Sequence, residues 1–442
     1  MNNSLQKSKT RVSQTLFKYF RKLKFFHKEG VARDTLVLGG AQALGYLLPL
    51  AAMPILIHRV GVQTYGLFVL VQMFGLLTQA VVDYGFPFTA TRAVVNVKND
   101  CVERNLILVN VTIAKIGLYL FCLILATFAS LVYTGMDYAV VLKAYFPYSL
   151  LTLSSLLIPL WYFQGLGDIS RAAIFTSIAR LSSLLILFIF VRPTSTLFYI
   201  AWLYSIPGLM VAAFFWLTSL PERADWRLVR MHRVKSLLEE GRHVFATNVL
   251  SIGLTNAGPF IISTVSGSAT VGLYAAAERV AKTISYIYGP LTQAIYPRVV
   301  AAFQVGHESG IDFLKRVLLL YIGSGIVLGA IAFFGADYIM AVLGATNGES
   351  ANVLRWLAVW VLVSIVNNVV GLQLLTALDL SRYYMKCFLV SSLVYLASAF
   401  LLTRSLVIVG PAVALLIGEG CLFALVAIKA RKLMSRDYAE KN

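Results

Sequence analysis

The stretch TVGLYAAAERVAKT, residues 270–283, places three charged side chains inside an otherwise apolar part of the chain. A similar stretch, TYGLF at residues 64–68, lies 206 positions earlier. The same offset relates three further pairs of residues: Gly61 and Gly267, Gln72 and Glu278, and Arg92 and Arg298. Self-similarity at about half the chain length is typical of transporters built from two related halves. The sequence therefore predicts an internal duplication.

The composition is that of an integral membrane protein. Apolar residues make up 59% of the 442 positions and charged residues only 13%, against roughly 25% charged residues in soluble domains. Apolar windows of about 20 residues, the length that crosses a bilayer core as a helix, recur twelve times along the chain. We therefore expect an all-α fold of twelve transmembrane helices in two six-helix lobes, one lobe for each copy of the repeat.

This pattern divides the chain into five regions. They are a basic N-terminal tail at 1–35 with a segment suited to a surface helix, a first lobe at 36–218, a connector at 219–244, a second lobe at 245–430 and a C-terminal tail at 431–442. With both termini in the cytoplasm, 29 of the 38 Lys and Arg residues fall on the cytoplasmic side, as the positive-inside rule requires. Topology thus accounts for most of the net charge of +18, and no nucleic-acid partner is needed.

Glu278, Arg279 and Lys282 lie within about 100° of arc on one face of the eighth predicted span. A charge at the bilayer centre costs roughly 2.5–3.5 kcal/mol on insertion scales, so such residues normally face a protein interior or a water-filled path. Glu278 and Lys282 are four residues apart in the order that favours an ion pair, which leaves Arg279 as surplus positive charge. The alternative is that all three side chains lie in the outer headgroup region.

Other polar residues within predicted spans point to a wet central cavity. On the second span, Gln79 and Asp83 project within about 20° of Gln72, and this polar stripe is predicted to face the charged residues of the eighth span. The remaining candidates for the cavity lining are Lys115, Arg180, Asn248, Asn256, Asn367 and Glu419. The carboxylates available for coupling to protons or sodium are Asp83, Glu278 and Glu419. Gly–Pro pairs at 258–259, 289–290 and 410–411 predict interrupted helices, or ordinary kinks.

The sequence contains no motif for binding nucleotide phosphates and no Cys and His cluster with the spacing of metal ligands. Its four cysteines are far apart, and its five histidines fall in predicted tails, loops or span edges. We therefore expect neither ATP hydrolysis nor a metal or other cofactor, and the chain is predicted to be a transporter.

Three longer motifs are VDYGFPFTATRAVV at 82–95, PLWYFQGLGDI at 159–169 and VGLYAAAERVAKTISYIYGPLTQAIYPRVV at 271–300. Together they resemble the Wzx-type polysaccharide flippases of the multidrug/oligosaccharidyl-lipid/polysaccharide exporter superfamily. The similarity extends from residue 36 to about residue 430. It implies the two-lobed fold of the multidrug exporters in that superfamily and a location in the bacterial inner membrane.

The resemblance also implies a function. Members of the family move an oligosaccharide on undecaprenyl pyrophosphate from the inner to the outer leaflet by alternating access, for O-antigen or another surface polysaccharide. The implied partners are this lipid-linked oligosaccharide, membrane lipids, a polysaccharide polymerase and a chain-length regulator. Arg279 and Lys282 would bind the pyrophosphate, and the gating or structural residues would be Arg92, Pro297 and Arg298.

Two alternatives to a flippase stay open from the sequence. A multidrug or toxin cation antiporter of the same superfamily would favour an acidic cavity, whereas the predicted cavity is basic or balanced. A membrane polysaccharide polymerase would be expected to carry a large outward loop, whereas the predicted outward segments are short.

Overall fold

Helices make up nearly all of the described chain. The computed structural model describes residues 29–132, 136–220 and 224–434, so the predicted surface helix of the N-terminal tail and the last eight residues lie outside it. The helices are α1 Glu29–Asp83, α2 Phe86–Asn96, α3 Cys101–Val132, α4 Met136–Leu157, α5 Leu160–Leu166, α6 Ile169–Phe190, α7 Leu197–Thr218, α8 Met231–Thr255, α9 Ala257–Val265, α10 Ser268–Val305, α11 His307–Phe334, α12 Ala336–Val342, α13 Gly348–Asn367, α14 Leu374–Ala377, α15 Ser381–Leu406 and α16 Gly410–Met434.

The helices confirm a multi-pass membrane fold, but not the predicted count of twelve spans. Within the described ranges, nine helical stretches are long and apolar enough to cross a membrane, or ten if the bent pair α8 and α9 forms one span. The stretch Val37–Asn96 has 60 residues, about 90 Å at 1.5 Å per residue, and Gly61 interrupts it with a φ of 83° and a ψ of 162°. Helix α10, which carries the charged trio, is not among the nine.

The helices form two lobes. In the first lobe α7 packs against α4 and α6, and in the second α16 packs against α15 while α13 packs against α10 and α11. Extensive contact between α1 and α10, the helices that contain the repeated motif, joins the lobes. The predicted lobe boundaries stay a prediction. Because α8 begins at Met231, the second half of the predicted connector is helical and continuous with the second lobe.

Two glycines related by the repeat allow α1 and α10 to cross at backbone distance. A Cβ added to Gly66 would meet the carbonyl oxygen of Ser268 and lie 2.8 Å from the nitrogen of Gly272. A Cβ added to Gly272 would meet the carbonyl oxygen of Val62 and lie 3.1 Å from the nitrogen of Gly66. Val62 and Ser268 are themselves 206 positions apart. The crossing is therefore symmetric under the repeat found in the sequence.

A second contact between the lobes lies where α1 ends. The chain turns there through Tyr84, with a φ of 51°, and Gly85, with a φ of 130°. Tyr84 stacks on Phe245 of α8 with the ring centroids 4.4 Å apart, and a Cβ on Gly85 would lie 3.2 Å from the carbonyl oxygen of Gly241. This contact is about 27 Å from the glycine crossing along the helix. The two contacts thus bracket the part of α1 that contains Gln72.

The three Gly–Pro pairs have different structural outcomes. Helices α8 and α9 meet at an angle of 52°, and the bend lies at Asn256, just before Gly258 and Pro259. Helix α16 begins at Gly410. Helix α10 continues through Pro290 without ending. Only the first pair therefore lies at a sharp bend, and the bend lies beside the interface between the lobes.

We predict that Gly66→Ala and Gly272→Ala each destabilise the protein, because the added methyl group meets backbone atoms of the opposite lobe. Overpacking of this kind costs about 1–3 kcal/mol. The matched control is Gly323→Ala on α11, where a Cβ would have no neighbour within 4 Å. The measurement is the thermal unfolding midpoint of the purified protein in detergent. Midpoints of both variants equal to that of the control would contradict the close crossing.

Candidate functional site

A cavity of ≈ 300 Å³ lies between α1 and α10, and we call it the central cavity. Its polar and aromatic lining comes from both lobes: Tyr46 and Gln72 on α1, Asn256 at the bend between α8 and α9, and Glu278, Arg279, Lys282, Thr283 and Tyr286 on α10. The three charged residues of the opening motif are thus brought together at one site between the lobes.

Arg279 reaches across the interface to α1. Its Nη2 donates to Oε1 of Gln72 at 2.7 Å, and its Nη1 donates to the carbonyl oxygen of Pro49 at 3.3 Å. Among the described residues no carboxylate lies within ion-pair distance of this guanidinium. Both acceptors are neutral, so they hold the side chain in place and leave its charge uncompensated. The prediction that Gln72 faces the charged trio is confirmed.

Lys282 and Glu278 form the predicted ion pair, with Nζ 3.2 Å from Oε1. Lys282 also donates to Oδ1 of Asn256 at 3.1 Å. The hydroxyl of Tyr274 donates to Glu278 at 3.3 Å, and Glu278 is only 7% exposed. Because one carboxylate faces two cations, the central cavity has a net charge of +1.

Asp83 lies in a different cavity, of ≈ 490 Å³, inside the first lobe. It accepts from Nζ of Lys115 at 2.8 Å and from Nε2 of Gln79 at 2.8 Å. Ser155 donates in turn to Oε1 of Gln79 at 2.9 Å. The sequence placed Asp83 beside Gln72 in one polar stripe, but α1 continues for three turns between them, and the structure assigns them to separate cavities.

Arg180 stands between the first-lobe cavity and the central cavity. It lines the former, and its Nη1 donates to the carbonyl oxygen of Ala41 at 3.1 Å. A Cβ on Gly45, which lines the central cavity, would lie 2.7 Å from that same nitrogen. Because residue 45 is a glycine, the guanidinium of Arg180 has room to pack against α1.

Glu419 lies in a third cavity, of ≈ 340 Å³, in the second lobe. The buried amide of Asn367 donates to its Oε2 at 2.5 Å and to its carbonyl oxygen at 2.9 Å. Lys282 and Tyr286 line both this cavity and the central one. In the described part of the chain no cation lies within 4.0 Å of Glu419, whereas Asp83 and Glu278 each pair with a lysine.

The remaining predicted residues lie outside the three cavities. Asn248 on α8 lines none of these three cavities. The predicted gating residues Arg92, Pro297 and Arg298 are exposed and also lie outside the cavities.

One aromatic pair was not predicted from the sequence. The rings of Tyr46 and Tyr286 stack across the lobes with their centroids 4.2 Å apart, and both line the central cavity. Tyrosines within apolar spans were the available signal, because a tyrosine ring suits a surface that is apolar at one end and wet at the other.

Comparisons with known proteins agree on a family and a fold. A family model described as polysaccharide biosynthesis protein matches residues 31–303. A relative from Escherichia coli (strain K12), described as "Putative O-antigen transporter", is 25% identical over 92% of this chain and 98% of its own length. Among solved structures, an inward-facing multidrug resistance MATE family transporter of the MOP superfamily has a TM-score of 0.69 at 15% identity, covering 90% of this chain and 98% of that one. The lipid II flippase MurJ, in an inward closed conformation, has a TM-score of 0.63 at 14% identity, covering 90% of each chain.

We predict that Lys115→Met destabilises the first lobe, because Asp83 then keeps its charge without a cation. Losing one hydrogen bond to a partly buried charged group costs about 1.5–3 kcal/mol. The double variant Asp83→Asn with Lys115→Met should recover part of this loss, because it removes both charges. Unfolding midpoints of the two single variants and the double variant test the coupling. Strictly additive effects would contradict a direct ion pair.

Proposed function

Because the chain belongs to the polysaccharide biosynthesis protein family, we propose that it moves an oligosaccharide on undecaprenyl pyrophosphate from the inner to the outer leaflet of the bacterial inner membrane. The motif resemblance to Wzx-type flippases is confirmed by the same comparisons. One observation carries the proposal: Arg279 lies between the lobes with only neutral acceptors around it. In the proposed substrate the pyrophosphate, a dense anion, links the oligosaccharide to the lipid chain.

The charge balance of the central cavity supports an anionic headgroup. Glu278 offsets one of the two cations, so a pyrophosphate in the cavity would be attracted chiefly by the uncompensated charge of Arg279. A guanidinium presents several donors in a rigid plane that matches phosphate oxygens. Lys282, already held by Asn256, would add a second charge from the next turn of α10. Gln72 and Asn256 are then available for hydrogen bonds to sugar hydroxyls.

The two contacts between the lobes support alternating access. The central cavity lies between the glycine crossing and the stacked pair of Tyr84 and Phe245. Separating the lobes at one contact while the other holds would open the cavity to one side of the membrane at a time. We propose this cycle, with both termini cytoplasmic as the distribution of Lys and Arg predicts. A polymerase and a chain-length regulator remain predicted partners.

The two alternatives have less support. The likeness to a multidrug exporter at 15% identity is a likeness of fold. A cationic drug would be repelled by the unpaired charge of Arg279 in the cavity where it would have to bind. A polymerase is disfavoured because the chain is similar over nearly its full length to a relative described as a transporter. The chain is therefore a transporter and not an enzyme.

Glu419 is the carboxylate best placed for ion coupling. Of the three carboxylates that the sequence singled out, Asp83 and Glu278 are already paired with Lys115 and Lys282. Glu419 has an amide partner, Asn367, and its cavity shares Lys282 with the central cavity. A proton or sodium ion bound there would alter the field at the proposed pyrophosphate site.

We predict that Arg279→Gln and Lys282→Gln each weaken the binding of inorganic pyrophosphate by about 10- to 100-fold, the loss expected for one charge-assisted hydrogen bond. Both variants should also fail to restore surface polysaccharide in cells that lack the native gene. The matched control is Lys315→Gln, whose side chain is 65% exposed on α11. Calorimetry on purified protein gives the affinities. Unchanged affinity in both variants would remove the proposed anion site.

We predict that Glu419→Gln binds pyrophosphate at least as tightly as the unaltered protein, because a negative charge near the site is removed, but abolishes transport driven by an ion gradient. The amide preserves the hydrogen bond to Asn367 and removes the charge. The measurement is transport of a lipid-linked oligosaccharide in vesicles with an imposed proton or sodium gradient. Gradient-driven transport at the normal rate would exclude this carboxylate as the coupling site.

A further inference from the structure

The cavity of ≈ 340 Å³ around Glu419, which we call the second-lobe cavity, adjoins the central cavity. Lys282 and Tyr286 line both spaces. The cavity inside the first lobe, by contrast, has no lining residue in common with the central cavity among the described residues. A ligand bound at Arg279 and Lys282 can therefore extend directly into the second lobe.

Hydroxyl groups from four helices surround the second-lobe cavity. A hydroxyl both donates and accepts hydrogen bonds, so it can pair with either role of a ligand hydroxyl. Ser391, for example, donates to the carbonyl oxygen of Phe388 at 2.9 Å, and its oxygen still accepts. The hydroxyl-bearing lining residues are Thr255, Ser285, Ser364, Ser391 and Ser392.

Aromatic rings complete the lining of the second-lobe cavity. Tyr286, Trp360 and Tyr395 are three of its lining residues. Tyrosine and tryptophan suit a surface that is apolar at one end and wet at the other. A sugar ring has the same character, because its C–H face is apolar and its edge carries hydroxyl groups. The combination of rings and hydroxyls therefore matches a sugar in both respects.

Trp360 contributes a hydrogen-bond donor that the protein itself leaves unused. The side chain is only 8% exposed, and within the described chain its Nε1 is buried without an acceptor. An indole N–H can only donate, and a buried donor without a partner is uncommon in folded proteins. An oxygen atom of a ligand in the second-lobe cavity would give Trp360 its missing acceptor.

The charges of the second-lobe cavity favour a neutral ligand. Its charged lining residues, within the described chain, are Lys282 and Glu419, so the two charges offset each other. The central cavity instead has a net charge of +1, because Glu278 faces both Arg279 and Lys282. The two adjoining spaces thus suit an anion joined to a neutral, hydroxyl-rich group.

We propose that the second-lobe cavity is a carbohydrate subsite, which holds a neutral sugar ring of the oligosaccharide while the pyrophosphate is bound in the central cavity. The inference rests on the proposed function, because it assumes a pyrophosphate at Arg279 and Lys282. Tyr286 follows Lys282 by one turn of α10, about 6 Å along the helix. A sugar attached to the pyrophosphate therefore passes the ring of Tyr286 as it enters the second lobe, and its hydroxyls accept from Trp360.

The first test compares two soluble probes on the full chain in detergent. They are inorganic pyrophosphate and the oligosaccharide pyrophosphate that remains when the lipid chain is cleaved from the lipid-linked repeat unit of the host cells. The unaltered protein should bind the second probe at least about tenfold more tightly. Trp360→Phe should lose about 3- to 10-fold of that affinity, as expected for one neutral hydrogen bond, and should bind inorganic pyrophosphate normally.

The matched control is Trp356→Phe, one turn away on α13, because Trp356 is 40% exposed and lines none of the three cavities. Trp360→Phe should also keep the unfolding midpoint of the control, because the N–H that it removes has no partner in the free protein. A lower midpoint together with weaker binding of both probes would instead indicate a structural role and overturn the proposal.

The outcomes separate the carbohydrate subsite from the proposed function. Equal affinity of the unaltered protein for the two probes would overturn the subsite and leave the anion site intact. Equal oligosaccharide pyrophosphate affinity in Trp360→Phe and Trp356→Phe would also overturn it. Absence of inorganic pyrophosphate binding to the unaltered protein would overturn the proposed function and the subsite with it.

Cysteine protection locates the sugar without removing any of the proposed contacts to Trp360. The chain carries alanine at its four native cysteines and a single new cysteine, either Ser392→Cys in the second-lobe cavity or Thr176→Cys in the cavity of the first lobe. Oligosaccharide pyrophosphate should slow the reaction of a small methanethiosulfonate reagent at position 392 and leave position 176 unchanged. Inorganic pyrophosphate should protect neither position.

Two results of the protection experiment would contradict the subsite. Protection at position 176 but not at 392 would place the sugar in the first lobe. Equal protection of position 392 by the two probes would mean that the anion alone closes or fills the second-lobe cavity. Both results leave the binding of pyrophosphate at Arg279 untouched, so the proposed function would stand.

Discussion

The backbone crossing of α1 and α10 at Gly66 and Gly272 is the contact on which the rest of the molecule depends. Helices in lipid gain little from burying apolar side chains against each other, so close packing at small residues and hydrogen bonds between helices hold them together. The crossing sets the relative position of the two helices. Gln72 and Arg279 lie about two turns beyond it, and this register brings an amide of one lobe to the guanidinium of the other.

The duplication is symmetric in its backbone contacts and asymmetric in its charges. Positions 206 residues before Glu278, Arg279 and Lys282 hold Gln72, Met73 and Leu76. If both copies were charged, the facing groups would pair or repel across the interface. With one charged copy, the opposite face offers a neutral acceptor to Arg279 and apolar side chains, Met73 and Leu76, to the wall of the central cavity.

The charged residues within the helices differ in function according to their partners. Lys115 with Asp83, and Lys282 with Glu278, are ion pairs, and each pair lowers the cost of holding a charge away from water. Arg279 and Glu419 have only neutral partners within the described residues. Unpaired charges in such surroundings attract a mobile counter-ion or ligand, and for this reason the proposed binding and coupling sites centre on these two.

The sequence alone determined the membrane class, the helical fold, the repeat and the pairing of Glu278 with Lys282, because these depend on composition and on spacing within one helix. It also predicted that Gln72 faces the charged trio, since the repeat relates the two helices. Only the tertiary structure decided which lysine pairs with Asp83, that no cation among the described residues lies beside Glu419, and that Tyr46 stacks on Tyr286. These facts depend on distances between helices far apart in the chain, which the packing of the helices sets and no local pattern encodes.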